Sequence, residues 1–216
     1  MSFWGSSRPP RDALDFGPRP DPALGIFETM LVRDGELPMR DAHYARINAS
    51  ARELYGVELL VPVPTGPQAV RRWNGHYRLM FVPGDGLELG GLGFPTRDPD
   101  YTGVAPFTLP GGLGPHKWLD RHLVDALAAA ADGALPLLID TDGSVLEATW
   151  ANVLIEERGR LVSPPDDGRA LSGIGRRALR YDEEPVDLDR LLAADAVVLS
   201  SALRVIRIPR KAASGR

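Results

Sequence analysis

A lysine, a glutamate and a glycine-containing turn are the residues of this chain that could do chemistry. Only two of its 25 Lys and Arg residues are lysines, Lys117 and Lys211. Lysine can form an imine with a carbonyl compound and arginine cannot, so Lys117 is a candidate for covalent chemistry of that kind, although a single lysine is by itself more often an ordinary one. Glu147 follows near the start of a predicted strand, and the turn Ser172-Gly173-Ile174-Gly175 comes later. Backbone amides of such a turn, at the start of a helix, suit an anionic group.

The composition narrows the classes of protein that come into question. With 216 residues, 44% hydrophobic and 25% charged, the chain is expected to be globular. Its formal charge of −4 gives no reason to expect a nucleic-acid partner. The lack of cysteine excludes disulfides, a thiol nucleophile and a thiolate metal site, and the histidines show no metal spacing. No apolar run has transmembrane length and no signal peptide is recognisable, so we expect a soluble cytoplasmic protein with no membrane partner.

Two α/β segments must position these residues. We expect an irregular arm over 1–22, an N-terminal domain over 23–108, a Gly/Pro-rich linker over 109–116 and a C-terminal domain over 117–216. The first domain is predicted to hold strands over 25–32, 76–82 and 87–92 and a helix from Asp41 to before Gly56. The second is predicted to hold helices over 118–131 and 188–193, a truncated helix from 174, and strands over 135–139, 145–155, 196–200 and 203–208.

The order and spacing of these blocks resemble the class IV (fold type IV) pyridoxal-phosphate enzymes. That family includes aminodeoxychorismate lyase, the branched-chain aminotransferases and the D-amino acid aminotransferases. Its lysine block reads here KWLDR from Lys117, and its glutamate block reads DGSVLE up to Glu147, with Asn152 after it. Its turn block reads SPP from Ser163 and GIG from Gly173. Among the subfamilies, KWLDR is most similar to the lyase pattern.

The resemblance implies a role for each block. Lys117 is expected to hold pyridoxal phosphate as a Schiff base and to act as acid and base once the substrate amine displaces it. Glu147 is expected to bind the protonated pyridine nitrogen, which keeps the ring electron-accepting. Asn152 is expected to order the strand beside the cofactor. The other implied cofactor contacts are an arginine that matches the lyase pattern and the residues of two phosphate-binding turns: Arg121, Ile174, Gly175, Ser201 and Ala202.

An arginine in the first predicted helix is implied as a phosphate ligand. By position alone, Arg46 is typical of a solvated helix arginine, just as Glu147 alone is typical of an exposed strand-edge carboxylate. The family pattern H-x-x-R-L, however, reads here His43-Tyr44-Ala45-Arg46-Ile47. A guanidinium fork suits a phosphate because two donors match two oxygens.

The sequence differs from the family pattern at the loop that binds the substrate. The stand-alone lyases carry an arginine-bearing glycine loop for substrate carboxylates, and this sequence lacks it. Arg78 and Arg97 are candidate replacements, and Asp120, in place of the lyase asparagine, is a third candidate near the substrate.

The implied fold is α/β, with two small domains of mixed or antiparallel sheet and a pyridoxal-phosphate cleft between them. The implied reaction is that of an aminodeoxychorismate lyase, which converts 4-amino-4-deoxychorismate to 4-aminobenzoate and pyruvate in folate precursor synthesis. Two alternatives stay open. One is a class IV aminotransferase for branched-chain or D-amino acids; the other is a cofactor-free binding or scaffold protein. We also expect a homodimer and a small-molecule amine as the substrate.

Overall fold

The computed structural model describes residues 7–60, 74–93 and 98–210. The helices among them are α1 (Arg40–Tyr55), α2 (His122–Ala130) and α3 (Leu188–Ala193). The strands are β1 (Arg11–Asp12), β2 (Ile26–Val32), β3 (Gly75–Val82), β4 (Gly86–Leu92), β5 (Val104–Thr108), β6 (Leu135–Ile139), β7 (Val145–Ala148), β8 (Ala151–Glu157), β9 (Arg160–Ser163), β10 (Asp182–Glu183), β11 (Ala196–Ser200) and β12 (Val205–Pro209). This mixture of sheets with a few helices confirms the predicted α/β class. No described helix is both long and apolar enough to cross a bilayer.

By their internal contacts, the residues divide into two compact units. The smaller unit consists of Pro20–Arg97 and His116–Asp120. The larger unit consists of Met1–Arg19, Asp98–Pro115 and Arg121–Arg216. The contacts therefore place the lysine block in the same unit as the N-terminal domain. They place the first residues of the chain in the same unit as the C-terminal domain. The domain boundaries predicted from the sequence lie instead after residues 22, 108 and 116.

The smaller unit is a three-stranded antiparallel sheet in the order β2-β3-β4, with α1 on one face. Ile26 and Met30 of β2 pack with Ile47 and Ala51 of α1 in one buried cluster. Side chains alternate between the faces of a strand, so Phe27 and Thr29 of β2 point to the other face. The strands and the helix predicted here are confirmed, and α1 ends at Gly56 in the left-handed conformation that a glycine cap favours.

The segment that contains Lys117 is extended, whereas the sequence predicts a helix from residue 118. The Phe27 amide donates to the Lys117 carbonyl at 2.9 Å, and the Leu119 amide donates to the Gly25 carbonyl at 3.0 Å. The Trp118 side chain packs against the cluster under α1. Because these contacts hold residues 117–119 along the edge of β2, helix α2 begins only at His122, and the predicted start is wrong.

The larger unit is built on one sheet with the path β1-β5-β6-β7-β8-β11-β12, and β9 and β10 extend it beside β8. Leu123 and Leu127 of α2 pack with Phe107 and Leu138 in one cluster. On the other face, Leu191 of α3 lies in a second cluster with buried residues of six strands. The short strand β1 pairs in parallel with β5, so part of the predicted irregular arm is ordered against the larger unit.

Two strand predictions in this unit need correction. The single strand predicted over 145–155 is two strands, β7 and β8, joined by a turn at Thr149-Trp150, with Ala148 opposite Ala151. That turn contains no Gly, Pro, Asn or Asp, so the sequence carries no turn signal there. Strand β5 was not predicted, since Pro106 in its middle argues against a strand interior.

Candidate active site

Lys117 lies beside an aromatic ring on the face of the small sheet that α1 does not cover. Ile26 and Trp118 form an antiparallel bridge, and both pack in the cluster under α1. Their chain neighbours Phe27 and Lys117 therefore face the other way. The Lys117 Nζ lies 4.7 Å from the centroid of the Phe27 ring. The amine that sequence reasoning selected is thus held in a half-buried position against an aromatic surface.

Arg46 is joined to a buried carboxylate. Its Nε and Nη2 donate to the two carboxylate oxygens of Glu28 at 2.6 and 2.7 Å. The His43 Nδ1 lies 2.8 Å from one of the same oxygens. The side chain of Glu28 is 1% exposed and that of Arg46 is 12% exposed. The interpretation of Arg46 as a solvated helix arginine is therefore wrong.

The charge on Glu28 is kept by its two partners. Burial raises the pKa of this carboxyl, but the hydrogen bonds from His43 and Arg46 outweigh it, and the pKa lies below its ordinary value. The carboxylate is therefore charged at neutral pH. Two of the five guanidinium N–H donors of Arg46 are used by it, so the orientation of the fork is fixed by the strand β2.

In the larger unit, three polar side chains lie in one row across neighbouring strands. Glu147 of β7 stands opposite Asn152 of β8, and Asn152 stands opposite Ser200 of β11. Residues directly opposite one another share a face of the sheet. All three are buried, so the interpretation of Glu147 as an exposed strand-edge carboxylate is wrong. The Ser200 Oγ finds no hydrogen-bond partner among the described residues.

A β-bulge sets the orientation of Glu147. The register between β6 and β7 shifts, with Glu147 opposite Leu138 and Val145 opposite Ile139. Leu146 is the extra residue between these pairs. A bulge of this kind re-aims the side chains beside it, and bulges are frequent next to active sites. Glu147 consequently shares a face with Leu138 and with the Asn152 row.

The two turns predicted to bind a phosphate touch one another. A Cβ on Gly175 would lie 2.1 Å from the backbone oxygen of Ser201, so only glycine fits there. A Cβ on Gly173 would lie 1.5 Å from the Asn152 Oδ1, and the Asn152 amide donates to the Leu171 carbonyl at 2.8 Å. The structure therefore brings Gly173 and Gly175 together with Asn152 and Ser201, which the sequence separates by up to about fifty positions.

A buried ion pair holds the segment around these glycines. Arg176 is 5% exposed, and its Nη2 lies 2.6 Å from an Asp166 carboxylate oxygen. Its Nη1 donates to the Ser163 Oγ at 3.0 Å, and the Ser172 hydroxyl donates to Asp166 at 2.7 Å. The helix expected after Ile174 is only a short 3-10 turn, Gly175–Ala178. The ion pair, rather than a long helix, fixes the turn.

The remaining predicted residues have varied surroundings. The Arg121 Nη2 donates to the Thr149 carbonyl at 3.0 Å, two residues beyond Glu147. Asp120 accepts a hydrogen bond from the Asp21 amide at 2.9 Å, so it binds the chain before β2. Ala202 lies half-buried in the turn after β11, and Arg97 lies outside the described residues.

Sequence reasoning missed three charged or polar groups. Glu28 interrupts an apolar strand, and a carboxylate at an inward position of such a strand is a signal that could have been used. Arg176 directly follows the turn Ser172-Gly173-Ile174-Gly175, and nothing local in the sequence marks it as buried. Ser200 directly precedes the turn that contains Ser201 and Ala202, and the structure places it at the end of β11 beside Asn152.

A known protein family matches the C-terminal part of the chain. The model of the amino-transferase class IV family matches residues 115–211. This part of the chain, just under half of it, is similar to the class IV aminotransferases. This match confirms the resemblance read from the lysine, glutamate and turn blocks.

Solved structures of class IV proteins share the fold over most of the chain. A candidate 4-amino-4-deoxychorismate lyase from Legionella pneumophila is 20% identical over 86% of this chain and 82% of that chain, with a TM-score of 0.69. A hypothetical aminotransferase from Mycobacterium tuberculosis in a PLP-bound form is 24% identical over 86% and 80%, with a TM-score of 0.66. A 4-amino-4-deoxychorismate lyase from Pseudomonas aeruginosa is 21% identical over 92% and 93%, with a TM-score of 0.64. No curated protein sequence matches the chain.

Several of the described residues fit pyridoxal phosphate. The turn at Gly175 approaches the Ser201 backbone so closely that only glycine fits there, which brings the two turns implied as phosphate ligands together. The buried hydroxyl of Ser200 is a polar atom without a protein partner in the described part of the chain. The guanidinium of Arg46 is oriented by Glu28, which reduces the entropy lost when it binds an anion.

Proposed function

We propose that this chain binds pyridoxal phosphate covalently through Lys117 and catalyses a lyase reaction on an amino substrate. The observation that carries the proposal is the contact between two family blocks: Asn152, in the row with Glu147, binds the backbone at Leu171 and abuts Gly173. A buried carboxylate next to a glycine turn is what the ring nitrogen and the phosphate of this cofactor require.

Each residue has a stated task in this proposal. Lys117 would hold the cofactor, and Glu147 would accept a hydrogen bond from its ring nitrogen. In the smaller unit, Arg46 would offer its charged fork to an anionic group of the cofactor. In the larger unit, the backbone amides at Ile174 and Gly175 and in the turn Ser201-Ala202 would bind the phosphate. Asn152 positions the glycine turn. When bound, pyridoxal phosphate supplies a ring that accepts the electrons released when a proton leaves the amine-bearing carbon.

For the lyase reaction, the Lys117 amine takes the proton from the amine-bearing carbon of 4-amino-4-deoxychorismate. The neighbouring carbon–oxygen bond then breaks, the ring becomes aromatic, and the enolpyruvyl group leaves with its electron pair. Protonation of that group gives pyruvate, so 4-aminobenzoate and pyruvate account for all atoms of the substrate. No oxidant or reductant is needed.

One arginine favours the lyase over an aminotransferase. Family aminotransferases usually place a tyrosine where Arg121 stands, whereas the lyase pattern has an arginine. The Arg121 guanidinium is held at the Thr149 carbonyl, near Glu147 in the chain. A cation there suits an anionic substrate. The Legionella and Pseudomonas neighbours described as lyases add support, while the Mycobacterium neighbour keeps the aminotransferase as the second candidate.

The cofactor is tested first by absorbance. We expect a band near about 400 nm, and borohydride should then attach the cofactor irreversibly to Lys117, which is seen as a mass increase on its peptide. Lys117→Arg should abolish both signals. Lys211→Arg, which changes the other lysine, is the matched control and should keep them. No band after addition of pyridoxal phosphate would overturn the proposal and favour the cofactor-free scaffold.

The reaction is tested by supplying 4-amino-4-deoxychorismate generated in situ and following pyruvate and 4-aminobenzoate. Parallel reactions supply D- or L-amino acids with 2-oxoglutarate. Equal amounts of pyruvate and 4-aminobenzoate are expected. Amino transfer without 4-aminobenzoate would decide for the aminotransferase.

The proposal also includes the cellular location and the oligomeric state of the enzyme. We expect the enzyme in the cytoplasm and as a homodimer, in which each interface should bury more than about 1,000 Å². Sedimentation at micromolar concentration measures the assembly. A fully active monomer would remove the dimer from the proposal.

A further inference from the structure

His116, the residue before Lys117, is fixed to helix α1. Its Nδ1 lies 3.0 Å from the Ser50 Oγ, and its Nε2 lies 3.6 Å from a carboxylate oxygen of Glu53. Ser50 is buried and the side chain of His116 is 9% exposed, whereas that of Glu53 is 68% exposed. All of these residues belong to the smaller unit. The chain therefore reaches Lys117 from a point that is tied to side chains of α1.

The ring of His116 is uncharged at neutral pH and takes one tautomer. Burial lowers the pKa of His116, although the nearby charge of Glu53 opposes this effect. The Glu53 carboxylate lies on the side of Nε2 and favours a proton there. Nδ1 is then an acceptor, and the Ser50 hydroxyl donates to it. The hydrogen bond consequently has one direction, and a buried hydroxyl and a ring nitrogen satisfy one another.

The residue after Lys117 is fixed on the same side. The Trp118 side chain packs against the cluster under α1, and residue 118 forms an antiparallel bridge with Ile26. The rings of His116 and Trp118 meet edge to face, with their centroids 5.2 Å apart. Side chains alternate along an extended segment, so Lys117, between these two, points the other way. Its Nζ thereby lies 4.7 Å from the centroid of the Phe27 ring.

The placement of the amine depends on how the backbone of Lys117 is held. A lysine carries its amine on a flexible stem of four carbons, so the direction of the stem is set at the Cα. A displacement of about 1 Å can cost a reacting group about a hundredfold in rate. Backbone hydrogen bonds at Lys117 and Leu119 hold the C-terminal side of the segment. His116 holds its N-terminal side, next to the Gly/Pro-rich residues 109–115.

We propose that His116 is a positioning residue for Lys117, held in place by the Ser50 hydroxyl and by the Trp118 ring. It acts through the backbone that it shares with Lys117. This inference rests on the proposed function, because it takes Lys117 as the amine that holds the cofactor. The placement of the lysine side chain can nevertheless be measured without a cofactor.

The small number of lysines makes this placement measurable by NMR. In the Lys211→Arg background, Lys117 is the only lysine of the chain, so isotope-labelled lysine gives the ε-methylene signal of Lys117 alone. The full-length protein is first treated with hydroxylamine, which removes any bound cofactor. The same protein unfolded in urea gives the position of the signal without a neighbouring ring.

Three variants change the contact and one leaves it intact. Ser50→Ala removes the hydroxyl at an interior helix position, where alanine is the residue that a helix tolerates best. His116→Leu keeps an apolar side chain beside Trp118 but no hydrogen-bonding group. His116→Asn keeps a polar group close to the position of Nδ1 and is the conservative variant. Ser7→Ala, which removes an exposed hydroxyl in the larger unit, is the control.

In the parent, the Lys117 signal should be displaced from its unfolded position, because an aromatic ring such as that of Phe27 shields nuclei above its face. Ser50→Ala and His116→Leu should move the signal towards the unfolded position. His116→Asn should restore much of the displacement, and the control should match the parent.

An unmoved Lys117 signal in Ser50→Ala would overturn the proposal, and so would a parent signal at the unfolded position. A lower melting temperature of Ser50→Ala with an unmoved signal would show that the hydrogen bond serves stability alone. Equal loss of displacement in His116→Asn and His116→Leu would also overturn it, since the polar contact would then not matter. If His116→Leu does not fold, Ser50→Ala decides.

The rate of cofactor attachment separates this inference from the proposed function. After addition of pyridoxal phosphate, Ser50→Ala should form the absorbance band about threefold to tenfold more slowly than the parent, and Ser7→Ala at the parental rate. If no band forms in the parent, the proposed function fails, while the lysine signal still decides on the placement. If Ser50→Ala moves the Lys117 signal but forms the band at the parental rate, His116 does not position Lys117 for its reaction, and the inference is overturned.

Discussion

Both carboxylate oxygens of Glu28 bind the guanidinium of Arg46, at 2.6 and 2.7 Å. The contact joins a buried position of strand β2 to helix α1, and it uses the Nε and Nη2 donors of the Arg46 guanidinium. The contact also affects the stability of the fold. Two opposite charges that have left water stabilise the fold only while both are present.

Loss of the charge on Glu28 should destabilise the smaller unit. Glu28→Gln keeps the shape of the side chain but leaves the buried Arg46 without a counter-charge, so unfolding should become easier by about 3 kcal/mol. Urea denaturation at neutral pH measures this. Glu58→Gln is the control, since it breaks an exposed ion pair with Arg52 and should change stability by less than about 1 kcal/mol. Equal losses in both variants would contradict the importance of burial.

Removal of Arg46 should weaken cofactor binding. Arg46→Ala deletes the proposed phosphate contact, which should cost about 1.5–3 kcal/mol of affinity for pyridoxal phosphate. Titration of the apoprotein, followed by absorbance, gives the dissociation constant. Arg52→Ala, which removes an exposed arginine of the same helix, should bind as the parent does. Unchanged affinity in Arg46→Ala would remove Arg46 from the phosphate site.

A methyl group at Gly175 should separate the two turns. The added Cβ would meet the Ser201 backbone oxygen at 2.1 Å, and a backbone atom cannot move aside as a flexible side chain does. Gly175→Ala should therefore lower stability by about 1–3 kcal/mol and reduce cofactor affinity. Gly93→Ala is the control, because no atom lies within 4 Å of its added Cβ. Thermal unfolding and the absorbance titration check both effects, and a fully stable Gly175→Ala protein would refute the contact.

Asp140 should make the larger unit sensitive to acid. The Gly111 amide donates to it at 2.9 Å and Arg169 donates to it at 2.9 Å, and these bonds lower the pKa of Asp140 to about 2. A lowered pKa adds stability that is present above the unfolded value of 3.8 and is lost as pH falls towards about 2. Because water screens part of the effect, we expect about 1 kcal/mol.

The matched variants for that prediction are Asp140→Asn and Asp132→Asn. Asp140→Asn should be less stable than the parent at pH 6, and the difference should shrink as the pH is lowered from about 4 to about 2. Asp132→Asn removes a carboxylate that is 89% exposed and should differ little from the parent at either pH. A difference between Asp140→Asn and the parent that stays constant with pH would show that the Asp140 charge is not responsible.

Local patterns determined much of the fold. Strands β6 and β11 and helix α3 lie at the residues predicted for them, because their apolar periodicity and flanking turn residues act over short distances. The types of the reactive residues were also readable. The side-chain chemistry of Lys117 and Glu147 and the family blocks around them identify both residues from the sequence alone.

Long-range contacts decided what those residues touch. Lys117 lies in an extended segment because the Phe27 amide, ninety residues earlier, binds its carbonyl, and no window of sequence contains both. Glu28 and Arg46 became a buried pair only when α1 packed on β2. Arg78 faces Phe27 because β3 pairs with β2 in one register, and a shift by one residue would have turned it towards α1. The sequence by itself thus determined which side chains could react, whereas tertiary pairing, which joins distant residues through backbone hydrogen bonds, decided which of them are buried and what they face.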